Sequence, residues 1–185
     1  MRKIVLTFGL IAGAILSAMM LLTLPFLDEI GFDKGAVIGY TTMVLAFLMV
    51  FFGVKSYRDN VAGGSVTFWR GLTVGLMITA VATVCYVATW QLVYYRLAPD
   101  FAEKYAAYTV EKTRKSGASD AQVAAKAKEM SEFSDMYRNP LLNIAFTLLE
   151  PLPVGILFTL VTAGVLSRKP RAMAAVPSSS SSWIG

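Results

Sequence analysis

No histidine occurs in the 185-residue chain, and cysteine occurs once, at Cys85. Without imidazole there is no histidine metal site, no Ser-His or Cys-His nucleophile pair and no histidine proton relay within the chain. A lone cysteine forms no intramolecular disulfide, and Cys85 lies inside an apolar run, so redox compartment cannot be read from it. Charge is scarce as well. Asp, Glu, Lys and Arg make up 16%, against about 25% in ordinary soluble domains. No P-loop, dinucleotide fingerprint, zinc-ligand spacing or nucleophile elbow is present. An enzyme is therefore poorly supported, and no cofactor or metal is expected.

Apolar sequence takes the place of what is missing, with 56% hydrophobic residues and a mean hydropathy of +0.58. It is gathered into four runs, at about 4–27, 35–54, 68–95 and 141–166. Each is long enough for a helix to cross the ~30 Å hydrocarbon core of a bilayer. The expected fold is all-α, an integral membrane four-helix bundle over residues 1–170. A low-hydrophobicity, serine-rich tail at 171–185 is expected to be disordered. A basic start before an apolar run also marks signal peptides. The first run is about twice a typical signal core and lacks a clean small-x-small site, so it reads as a retained signal anchor.

The net charge of +5 does not indicate nucleic acid, because the basic residues sit at the ends of apolar runs. Arg2-Lys3, Lys55 with Arg58 and Arg70, and Arg168-Lys169 with Arg171 mark one side of the membrane; the acidic link Asp28, Glu29 and Asp33 marks the other. The positive-inside rule then puts both termini in the cytoplasm of a cell (inner) membrane. The polar block 96–139 falls outside, between the third and fourth spans. Its eight Lys or Arg are nearly offset by seven Asp or Glu, so it votes weakly on orientation. It reads as a helical hairpin. Pro99 opens the first helix, Phe101, Tyr105 and Tyr108 recur at helical spacing, and Ser116-Gly117 breaks it. Ser119 to Gln122 then fits a capping box. Thr67 fits an N-cap for the third span, Trp69 an interfacial anchor, and Tyr86, Trp90, Tyr94 and Tyr95 an aromatic belt.

Glu150 is the most suggestive ionisable residue, about 14 Å along a helix from Leu141. A carboxyl at such depth needs a partner. It either binds a proton or cation beside a broken helix, or makes a structural interhelical contact, for which Arg96 is the natural partner. Pro151 and Pro153 predict a kink in one bent final span. The spacings Gly9 to Gly13, Gly35 to Gly39 and Gly71 to Gly75 let backbones approach closely, within the bundle or between two copies. Thr73, Thr79, Thr83, Thr89 and Gln91 put polar groups along the third span, as interhelical bonds or a solute path. Lys55, Tyr57 and Arg58, with the reversal at Gly63-Gly64, form a polar loop. It either contacts anionic headgroups or anchors the second and third spans.

Certain residues resemble a known pattern: Phe52-Gly53-Val54-Lys55-Ser56-Tyr57-Arg58, then Gly63-Gly64 to Phe68, then Gly71 and Gly75. Pro99-Asp100-Phe101, Met130 and Tyr137-Arg138-Asn139-Pro140-Leu141 extend it. Over about residues 1–170 the chain resembles the bacterial family known as domain of unknown function 4199. The resemblance implies a four-span protein of the bacterial cell membrane and supplies no substrate, cofactor or catalytic residue. The expected role is a non-enzymatic accessory or assembly protein of the envelope. Its partners would be the bilayer and another membrane protein or a second copy. The alternative is a small oligomeric transporter or channel that uses Glu150.

Overall fold

The computed structural model describes residues 1–167 and is helical throughout its ordered elements. Arg168, Lys169, Arg171 and the serine-rich tail lie outside the described residues. Helix α1 (Arg2–Thr23) tightens into a 3-10 turn at Leu24–Phe26, where Pro25 has no N–H to continue an α-helix. A short α2 (Leu27–Ile30) follows, and Gly31 reverses the chain at φ 82°. Helix α3 (Phe32–Asn60) leads to α4 (Phe68–Leu92), which ends in a π-helical turn at Val93–Leu97. Then come α5 (Phe101–Lys115), α6 (Asp120–Arg138), α7 (Pro140–Leu149) and α8 (Pro151–Leu166). Among the described residues, four stretches are long and apolar enough to cross a membrane: Arg2–Ile30, Phe32–Asn60, Phe68–Leu97 and Pro140–Leu166.

Local signals explain most of the boundaries. The Thr67 side chain accepts from the Arg70 N–H, and Ser119 and Gln122 complete both halves of a capping box. Asn139 caps α7 by accepting from the Leu141 N–H at 3.0 Å. The final span is interrupted where expected. Glu150 alone separates α7 from α8, and both prolines fall in the first turn of α8, where a missing N–H is tolerated. The polar stretch after Lys55 is a correction. It stays helical to Asn60, and the reversal is confined to the residues that follow, with Gly63 at φ 68° and Gly64 at φ 85°. Lys, Tyr and Arg propagate a helix readily once it is nucleated, and the Val61 and Ala62 N–H groups close it on the Tyr57 carbonyl.

Helix α4 packs against α1, α3 and α8, while α1 and α8 also pack against α3. Phe47, Val50, Val54, Val74 and Ile78 are fully buried at the centre. Lipid tails are as apolar as leucine, so this association rests on close van der Waals fit rather than on water exclusion. Glycine supplies the fit. A Cβ on Gly9 or Gly13 would meet Val81 or Cys85 of α4 at 2.7 or 2.6 Å, and one on Gly75 would meet Thr159 of α8 at 2.6 Å. Gly71 lies against Ala163, and Gly53 and Gly155 make further close approaches, to Ile78 and Thr79. Gly39, by contrast, faces open space.

Helices α5 and α6 pack on each other over one end of the spans. Arg138 bonds Glu103 at 2.7 Å, and this hydrogen bond holds the Glu103 carboxyl below the usual carboxylate range. The pair is tied to the α2–α3 corner by Lys104 to Asp28 at 3.1 Å and Lys112 to Asp33 at 2.6 Å. Phe32 packs among Phe101, Tyr105 and Tyr108. The acidic link and the polar block therefore lie at the same end of the molecule. The expected aromatic belt needs revision. Trp90 and Tyr94 are buried in a cluster with Ala102 and Tyr137, whereas Tyr95 is exposed. Because α5 and α6 lie over the end of α4, these rings pack against protein instead of headgroups.

Candidate functional site

The break between α7 and α8 borders a large cavity. Helix α8 packs on α3, but α7 makes little contact with it, so the first half of α3 and α7 stand apart. Between them, beneath α5 and α6, is a cavity of about 590 Å³. Its walls are mainly apolar and aromatic, including Tyr40, Tyr86, Trp90, Tyr137 and Phe146, and among the described residues Glu150 is its one acidic group.

Glu150 Oε2 accepts a hydrogen bond of 2.6 Å from the Tyr86 hydroxyl. Arg96 is not its partner. Arg96 lies ten positions beyond Tyr86, about 15 Å further along the axis of α4, at the exposed end of the π-helical turn. Pro151 and Pro153 follow Glu150 directly and fix the break, with Pro151 buried. Tyr137 also lines the cavity, and burial pushes its phenol up to about 12. The Trp90 indole N–H is buried without a well-aligned acceptor among the described residues.

Polar groups on α4 reach three other helices. Ser17 and Thr89 are 2.7 Å apart, Thr79 and Thr159 are 3.2 Å apart, and Gln91 donates to Asn143 at 2.8 Å. Thr73 bonds back to the Trp69 carbonyl within its own helix. Thr79 and Thr89 thus fasten α4 to α8 and α1, whereas the buried Thr83 hydroxyl has no hydrogen-bond partner among the described residues. At the far end, Tyr57 is buried and its hydroxyl accepts from Arg70 Nε at 3.0 Å, while Arg58 pairs with Asp59 at 2.7 Å. Lys55 and the Gly63-Gly64 turn remain exposed. No group of three or more His, Cys, Asp or Glu residues could hold a metal among the described residues.

The Glu150–Tyr86 bond and the Gln91–Asn143 bond are the site features that sequence reasoning missed. One signal was present. Tyr86 lies 11 residues before Leu97 and Glu150 lies 10 after Pro140, so two antiparallel spans place them at matched depth. No curated protein and no solved structure matches the chain. A family model, described as protein of unknown function, matches residues 7–168 and so covers most of the chain, including every element that lines the cavity. The chain belongs to this family, DUF4199.

Proposed function

We propose that this chain is a non-enzymatic accessory protein of the bacterial cytoplasmic membrane that holds an amphiphilic molecule beneath an extracytoplasmic helical hairpin. In this reading the four long helices form a spanning bundle with both termini inside. Arg2, Lys3, Lys55, Arg58 and Arg70 lie at the inner end, and Asp28, Glu29 and Asp33 at the outer end with α5 and α6. The cavity carries the proposal. Its volume, about 590 Å³, falls in the ~300–1,000 Å³ range of small-molecule sites, and its walls are apolar with a few polar groups. The gap between α3 and α7 gives a lateral route from the bilayer. A second reading, a small oligomeric carrier, draws on the position of Glu150 at a proline-bounded helix break beside that cavity.

Native mass spectrometry of the purified protein in nanodiscs, supplied with dodecanol and dodecyltrimethylammonium together, tests the first reading. One amphiphile per chain should be retained. Gly39→Trp, which fills open space on the cavity wall, should abolish retention. If neither amphiphile is retained, or if Gly39→Trp retains as much as the unaltered chain, the cavity is not a binding site.

A further inference from the structure

Resting on that reading, we infer that the cavity selects a lipophilic monocation, an amine or quaternary ammonium with an apolar tail, and that Glu150 is its counter-ion. Glu150 opens onto the cavity, and among the described residues its only hydrogen bond comes from a neutral phenol. Among the described residues no lysine or arginine forms an ion pair with it. A carboxylate at this depth is stabilised by a partner cation, and the described residues provide none there.

The helix break adds acceptors at the same level. Pro151 and Pro153 have no N–H, so the carbonyls four residues before them, at Thr147 and Leu149, lose their helical donors. These carbonyls lie in the turn that ends at Glu150 and deepen the negative potential around its carboxylate, which favours a positive guest and opposes a negative one. The aromatic residues reinforce this choice. Tyr40, Tyr86, Trp90 and Tyr137 surround the same space, and aromatic enclosures attract desolvated ammonium groups through the quadrupole of the ring. Phe146, Met20 and Met43 leave the remaining wall apolar, suited to a tail. A hydrated metal ion fits poorly, because among the described residues the cavity holds one carboxylate and no ligand cluster.

The test compares dodecyltrimethylammonium, dodecanol and dodecanesulfonate, each titrated into the full chain in nanodiscs of zwitterionic lipid. The ammonium is expected to bind at least tenfold more tightly than dodecanol, about 1.4 kcal/mol, and the sulfonate more weakly than either. Glu150→Gln keeps an acceptor for the Tyr86 hydroxyl but removes the charge, so it should bring the ammonium down to the dodecanol level. Equal binding of ammonium and sulfonate by the unaltered chain overturns the inference. So does an ammonium preference that survives Glu150→Gln. The ammonium–sulfonate comparison needs no variant, so a Glu150→Gln protein that fails to fold does not block the test. Equal retention of ammonium and dodecanol defeats the charge selection alone; retention of neither defeats the cavity reading as well.

Discussion

Replacing Gly75 with alanine is expected to destabilise the folded protein by about 1–3 kcal/mol, the usual range for overpacking, and leucine there should cost more. The reason lies in the crossing of α4 with α8 and α3. A Cβ at this position would sit 2.6 Å from Thr159 Cγ2 and 3.2 Å from both Thr159 Oγ1 and Val50 Cγ1. Thr159 is β-branched and fully buried, with its hydroxyl 3.2 Å from that of Thr79, so it cannot rotate away without losing that bond. The helices would have to separate, and in lipid no hydrophobic force draws them back together. Gly39→Ala is the matched control. It meets open space and should be neutral or raise stability by about 0.5–1 kcal/mol, the gain of alanine over glycine within a helix. Unfolding titrations of both variants in mixed detergent micelles give the comparison. A neutral Gly75→Ala would mean that α4 and α8 do not meet at this position.

Asn143→Ala is the second large effect. Asn143 is wholly buried; its Oδ1 accepts from Gln91 at 2.8 Å and its Nδ2 donates to the Tyr137 carbonyl at 3.2 Å. One side chain therefore joins α4, the end of α6 and the start of α7. Its removal strands an amide and a carbonyl away from water, which typically costs about 1–3 kcal/mol. The loss should appear in the same titrations. A double-mutant cycle with Gln91→Ala should give a coupling of about 0.6 kcal/mol, the average for interhelical bonds in membranes, and no more than about 1.7 kcal/mol. Zero coupling would place Gln91 and Asn143 on surfaces that do not meet.

Features governed by neighbours in the chain were legible in the sequence. The spanning runs, the Thr67 cap, the capping box from Ser119 to Gln122 and the proline-bounded break at Glu150 each depend on a few adjacent residues. The partner of Glu150 was not legible, because it depends on how far two antiparallel helices slide past each other. Arg96 was attractive by charge, yet Tyr86 has the matching depth. The aromatic residues at the end of α4 have the composition of an interfacial belt. Only the packing of α5 and α6 over that end turns Trp90 and Tyr94 inward. The cavity itself arises because α8 follows α3 while α7 diverges from it, and no local pattern encodes that divergence.

Everything proposed for the cavity depends on its lying within a bilayer, with α5 and α6 on the outer face. Cysteine labelling of intact cells tests this arrangement. In a Cys85→Ala background, Ala121→Cys in the first turn of α6 should react with a membrane-impermeant maleimide from outside. Ser65→Cys, in the turn between α3 and α4, should react only after permeabilisation; both positions are exposed on the protein. Reaction of Ser65→Cys from outside, with Ala121→Cys protected until the membrane is opened, would contradict the account.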